Sequence, residues 1–154
     1  RQLEIIVATN IVFALLMLIS DRRENKRKLS NISIKDVLFI GIWQSFAVLP
    51  GTSRSGSTIT GARFLKFKRE DAIIISVILS IPSIALSSAY VAFKLYNNTS
   101  KIEMEFTFYA TLLSFVFSFL ALKLFIKLGQ SFSFTPFVIY RILLGFVLAV
   151  VLFI

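Results

Sequence analysis

Neither cysteine nor histidine occurs anywhere in the 154 residues. The first absence excludes disulfides, thiol nucleophiles and cysteine-based metal centres. The second removes the commonest general base and the commonest metal ligand. Acids are also scarce, eight against seventeen lysines and arginines. They are Glu4, Asp21, Glu24, Asp36, Glu70, Asp71, Glu103 and Glu105, and each lies at or near the end of an apolar run. No carboxylate therefore stands inside the apolar part of the chain to act as a base. Arg1 opens the sequence without an n-region or a cleavage-site pattern, so no signal peptide is expected.

What is abundant is apolar sequence. Hydrophobic residues make up 56% of the chain, and its mean hydropathy is +0.83. The runs Leu3–Ile19, Ala72–Phe93, Phe106–Leu122 and Phe137–Ile154 each approach or reach the ~17–25 residues that cross a bilayer as helix. A soluble core needs no such series. The sequence predicts an all-α integral membrane protein forming a single membrane domain over residues 1–154, with spans at 3–20, 72–94, 106–126 and 136–154. Its net charge of +9 is concentrated in the breaks between runs, where membrane proteins place lysine and arginine on cytoplasmic loops. Membrane lipid, not nucleic acid, is the expected partner of this charge.

Residues 37–65 depart from that pattern. Val37–Leu49 is apolar for a length that suits a re-entrant segment, and Gly56–Leu65 is shorter and carries Ser57, Thr58 and Thr60. Between them Pro50 lacks an amide donor and disfavours helix at Leu49, while Gly51 and Gly56 permit backbone angles that other residues resist. Loop charge decides whether the segment crosses or turns back. A hairpin that returns places twelve loop lysines and arginines on one side and only Lys94 and Lys101 on the other, whereas a crossing segment divides them eight to six. Only the returning hairpin gives the positive-inside asymmetry, and it makes "LYNNTSKIEME" an external loop. Ser76 with Ser80, Ser83 with Ser87, and Ser114 with Ser118 read as small-residue packing pairs, and Pro82 is expected to kink its helix.

The tip, "LPGTSRSGST", places polar groups where irregular backbone survives only against protein or a water-filled cavity. An arginine at membrane depth costs ~2.5–3.5 kcal/mol even on the translocon scale and calls for a partner. No acid lies beside Arg54, which makes an anionic ligand the simplest partner. A phosphate suits the neighbours: Gly51 and Gly56 expose amides, the second arm aims its N-terminus at the loop, and Thr52, Ser53, Ser55, Ser57 and Thr58 supply hydroxyls. Arg54 adds a planar fork for two phosphate oxygens. The blander reading is a helix-breaking turn with capping hydroxyls and an arginine that reaches for headgroups. A P-loop is excluded, because Ser57 stands where its lysine belongs and no strand precedes it. Arg141 stays open between snorkelling to the nearby helix end and a packing role beside Tyr140.

"GIWQSFAVLPGTSRSGSTITGARFLKFKREDA", the "ILSIPS" run and the late "YRILLG" resemble the second half of the undecaprenyl-diphosphatase family, bacterial phosphatases associated with bacitracin resistance. The resemblance runs through nearly the whole chain. It implies one half of an inverted-repeat fold, about four transmembrane helices plus one re-entrant hairpin, in the bacterial inner membrane. The implied reaction is hydrolysis of an isoprenoid diphosphate lipid to its monophosphate, recycling the carrier of cell-wall synthesis. By motif position Ser53, Arg54 and Thr58 would be catalytic, and Gly51, Thr52, Ser55, Gly56 and Ser57 would bind the diphosphate. The family's other motif, a glutamate-rich helix leading to a Ser-Ser-Thr-Gly-His type loop, is not in this sequence. The missing N-terminal half is thus an expected partner, a divalent cation (Mg or Ca) is expected to come with it, and no metal ligand is assigned here. The fragment alone is expected to be inactive, Ser53 and an activated water both remain open as nucleophile, and a homodimer remains open. Half of a secondary transporter, with an anion site at a broken helix, is the alternative.

Overall fold

The computed structural model describes residues 2–22, 26–98 and 101–153. These residues form six α-helices: α1 Gln2–Asp21, α2 Ile34–Ser45, α3 Arg54–Phe64, α4 Arg69–Asn98, α5 Lys101–Ser131 and α6 Thr135–Phe153. Four of them, over Leu3–Asp21, Arg69–Lys94, Glu105–Gly129 and Thr135–Leu152, are long and apolar enough to cross a membrane. Among the described residues there is no β-strand, only an isolated bridge between Arg27 and Phe67. Thr99 and Ser100, in the connection expected to be external, lie outside the described residues, as do Arg23, Glu24 and Asn25 of the first loop. Pro82 lies within α4, which continues as one helix through it.

The short helices α2 and α3 form the arms of the hairpin. Ser33 caps α2 through a reciprocal box, its hydroxyl accepting from the Asp36 amide while the Asp36 carboxylate accepts from the Ser33 amide. Asp36 also accepts from Arg27 at 2.6 and 3.1 Å. Chiefly that hydrogen bond, opposed by desolvation and helped by Ser33, holds the Asp36 carboxyl down to about 2. The arms lie close because Gly61 faces Trp43: a Cβ there would come within 2.7 Å of the indole Cγ. Trp43 in turn stacks against Phe64 with ring centroids 5.3 Å apart.

Both arms open at the same end of the bundle. Arg27 donates its amide to Lys66 O at 3.0 Å and accepts from the Lys68 amide at 2.9 Å, so the loop before α2 lies beside the turn after α3. Asp21, at the C-terminus of α1, joins this mouth. It pairs with Arg63 of α3 at 3.0 Å and Arg69 of α4 at 2.8 Å, and it accepts from the Phe134 amide just before α6 at 3.1 Å. The tip, by contrast, meets the middle of α1, where Thr9 donates to Pro50 O at 2.5 Å. Thr9 is about a dozen residues from Asp21, ~18 Å at 1.5 Å per residue, against a ~30 Å hydrocarbon core. The tip therefore stops partway along α1, and both arms lead back to its Asp21 end.

A labelling experiment checks this placement, since no native cysteine interferes. Single cysteines at Lys26 and Lys68 should react from the same side of a sealed vesicle. Reaction from opposite sides would overturn the returning hairpin.

Packing is dense at the mouth and open away from it. Phe67, Ala72, Ile73, Ile75 and Phe134 are buried among Ala14, Ile40 and Ile59. Beyond Ile78 most of α4 is exposed, and the most apolar stretch of α5 contributes no buried residue. Phe108, Phe115, Phe117 and Phe119 stand outward, a surface that lipid or further protein would cover.

Candidate active site

The tip is built by backbone angles that only a few residues tolerate. Leu49 is extended, as a residue before proline prefers. Gly51 follows at φ +88°, where a Cβ would lie 2.6 Å from both Ile6 O and Thr9 Oγ1, so conformation and space both require glycine. Ser53 has φ 67° and ψ 114°, angles that cost a non-glycine residue on the order of 1–3 kcal/mol and persist where surrounding structure dictates them. Its hydroxyl caps α3 by accepting from the Gly56 amide at 3.3 Å. The arm therefore begins at Arg54, two residues before the Gly56 start that the sequence suggests.

With Gly56 N on Ser53 Oγ and Ser57 N on Ser53 O, the amides of Arg54 and Ser55 open α3 with no acceptor among the described residues. Such amides, with the helix dipole behind them, favour an anion. Arg54 is half-buried and donates to Ser83 Oγ on α4 at 2.9 Å. Among the described residues no carboxylate pairs with it; the ion pairs there are Arg27–Asp36 and the Asp21 pairs at the mouth.

Arg54 borders a cavity of about 530 Å³ between α2, α3 and α4, lined also by Gln44, Ser45, Pro82 and Ser83, and two more cavities meet at this helix end. One of about 460 Å³ lies between α3, α4 and α5 and is lined by Arg54, Ser55, Ser76, Ser80 and Ser118. The other, about 290 Å³, lies toward α1 and α6 and is lined by Asn10, Ser53, Ser55, Gly56, Tyr140 and Arg141. Ser55 borders both. Ser76, Ser80 and Ser118, read from spacing as packing residues, thus also supply the polar wall opposite Arg54. Their helical spacing is equally that of a packing stripe, and nothing in the sequence separates the two uses.

The hydroxyls of the motif divide by position. Ser53 and Ser55 are exposed, whereas Thr52, Ser57 and Thr58 are buried. Ser57 Oγ bonds back to Ser53 O at 3.0 Å. Thr58 Oγ1 lies 2.6 Å from Ser76 Oγ and bonds to Arg54 O and Ser55 O at 3.1 and 3.0 Å, pinning α3 to α4. Thr52 lines neither cavity, and its buried hydroxyl has no hydrogen-bond partner among the described residues. Arg141 does not snorkel. It is buried and donates from Nε to Asn10 Oδ1 at 2.8 Å and from Nη2 to Gly51 O and Thr52 O at 2.8 and 3.0 Å.

No group of three or more acids, histidines or cysteines that could hold a metal occurs among the described residues. Hydroxyls and guanidinium groups are poor ligands for Mg or Ca: Mg takes one or two carboxylates besides waters and substrate phosphates, and Ca takes several carboxylate or carbonyl oxygens. The residues at the tip do not fit such a site. What they offer is a cluster of donors, with two cations, beside the middle of α1.

The fold and the tip together define a helical membrane protein whose broken segment presents Arg54, with no carboxylate partner among the described residues, and the amides opening α3 to cavities of mixed polar and apolar lining. The family described as bacitracin resistance protein BacA matches residues 1–147, and the chain belongs to it. It is 40% identical over 145 residues to the undecaprenyl-diphosphatase of Hahella chejuensis, covering 94% of this chain and 54% of that protein. Identity to the undecaprenyl-diphosphatase of Jannaschia sp. is 38% over 152 residues, covering 98% and 57%. For that of Aliivibrio salmonicida it is 41% over 146 residues, covering 94% and 55%. The chain thus spans about half the length of the curated relatives it matches.

Proposed function

We propose that this chain is the arginine-bearing half of an undecaprenyl-diphosphate phosphatase of the bacterial inner membrane. The observation that carries the reading is Arg54, with no carboxylate partner among the described residues, at the open N-terminus of α3 beside a cavity walled in part by Ser55, Ser76, Ser80 and Ser118. Ser53, Arg54 and Thr58 form the catalytic motif, with Arg54 touching the diphosphate and Thr58 holding the helix start. Gly51, Thr52, Ser55, Gly56 and Ser57 shape the loop around it.

In the proposed reaction a water oxygen bonds to the terminal phosphorus as the bridging P–O bond breaks. Undecaprenyl phosphate leaves, and the water proton passes to a base. Charge grows on the phosphoryl and bridging oxygens, and prearranged donors in a site of low dielectric stabilise it. Arg54 and the amides of Arg54 and Ser55 fill that role. The base is not supplied here, since the chain has no histidine and the described acids that form ion pairs, Asp21 and Asp36, sit at the mouth. It comes with the N-terminal half of the fold, as does any divalent cation.

The test joins this chain to the N-terminal half of a relative and supplies undecaprenyl diphosphate in proteoliposomes. Phosphate release by the joined protein, with none above background from the chain alone, is expected. Movement of an intact anion across the vesicle without phosphate release would replace the enzyme by a carrier.

A further inference from the structure

A loop between two helix arms carries acceptors as well as donors, and carbonyl oxygens turned toward an anion would repel it. At this tip three consecutive carbonyls are taken by other helices. Pro50 O accepts from Thr9 Oγ1 of α1 at 2.5 Å, and the single Thr9 proton is shared with Ile5 O at 2.7 Å and Ile6 O at 3.2 Å. Gly51 O and Thr52 O accept the two protons of Arg141 Nη2 at 2.8 and 3.0 Å.

Arg141 is itself held in place. Its Nε donates to Asn10 Oδ1 at 2.8 Å, and Asn10 Nδ2 donates back to the Arg141 carbonyl at 2.7 Å. Nη1 remains beside the first turn of α3, 3.0 Å from where a Cβ on Gly56 would be. A buried arginine with no carboxylate among the described residues is expensive in apolar surroundings, and here one rigid plane serves Asn10 from Nε and two successive carbonyls from Nη2 together, which a single ammonium cannot match.

We propose that Arg141, supported by Asn10 and Thr9, is a positioning residue that sets the polarity of the loop. It draws the carbonyls of residues 50–52 toward α1 and α6, so that the amides opening α3 and the Arg54 guanidinium face the diphosphate. The inference rests on the phosphatase reading for its substrate, and on the hydrogen bonds alone for its geometry.

The experiment uses the joined protein in nanodiscs, with inorganic pyrophosphate binding and turnover of undecaprenyl diphosphate measured side by side. Arg141→Lys keeps the charge but loses the fork. It should weaken pyrophosphate about 10-fold and lower kcat about 10- to 100-fold, the scale of a misplaced catalytic group. Thr9→Val should lower both in the same direction by about 3- to 10-fold, the loss of one hydrogen bond, while Thr9→Ser, which keeps the hydroxyl, should stay near wild type. A packing role would reverse that order, since valine keeps the shape.

A lysine variant within about twofold of wild type in both measurements, on the scale of a neutral change, would overturn the inference. Thr9→Val and Thr9→Ser that cannot be told apart would also overturn it, and this pair decides alone should Arg141→Lys fail to fold. Pyrophosphate binding that follows the predicted order without phosphate release would keep the clamp and remove the phosphatase. Phosphate release indifferent to these variants would do the opposite.

Discussion

Arg54→Lys is expected to lower the phosphatase rate of the joined protein about 10²- to 10³-fold, the scale of one lost donor to a developing oxyanion. Arg54 already uses Nη1 to reach Ser83 on α4, and it lines the cavity that Ser55 and Ser76 also line. Lysine retains the charge but has no fixed plane, so it cannot hold Ser83 and two phosphate oxygens together. The loss should appear mainly in kcat, because the contact strengthens as charge develops. Arg54→Ala should be at least as poor. The measurement is phosphate release at matched membrane expression, with monodispersity in detergent as the check on folding. Near wild-type turnover by the lysine variant would remove the bidentate role, and full activity in the alanine variant would remove Arg54 from the site.

The second large effect concerns Asp21 and is one of stability. This carboxylate is buried and receives Arg63, Arg69 and the Phe134 amide, so one side chain ties α1, α3, α4 and α6 at the mouth. Asp21→Asn removes the charge while Arg63, 5% exposed at its side chain, stays buried. Breaking a buried pair from one side costs about 3–5 kcal/mol, since an uncompensated charge remains. Arg69 is 38% exposed and can turn to water, so it adds little. Resistance to SDS-induced unfolding should fall accordingly, and Arg63→Met in the Asp21→Asn background should recover part of the loss. An Asn variant within about 1 kcal/mol of wild type, the size of an ordinary substitution, would show that Asp21 is dispensable to the mouth.

The architecture was readable where local chemistry speaks loudly. Four apolar runs, a proline and glycine between two short arms, and lopsided loop charge suffice for an all-helical membrane chain with a broken segment. Arg54 stood out because it is an ion in apolar sequence. Arg141 is equally conspicuous, yet its use was not readable. Its acceptors are the backbone oxygens of residues 51 and 52, 90 and 89 positions away, and a carbonyl carries no side-chain mark. Asp21 looked like any acid at a helix end, because its three donors come from three different elements. The Ser33–Asp36 box was in principle visible, as a serine three residues before an acid at the head of an apolar run. The inward turn of Thr52, Ser57 and Thr58 was not, since five hydroxyls in a row give no hint of which face the cavity until α3 has been placed against α4.

Asn10 and Arg141 lie 131 positions apart, and that separation has a consequence for biogenesis. A ribosome completes the hairpin tip long before it reaches α6. During that interval the carbonyls of Gly51 and Thr52 have only water to bond, and a dry bilayer offers them nothing. The tip must therefore stay hydrated or shielded, with its arms near the surface, while α4 and α5 are threaded. It reaches its final depth only when the last helix delivers the guanidinium. A buried polar contact between the first and last helices is thus also among the last that can form, and final seating of the hairpin is expected to follow threading.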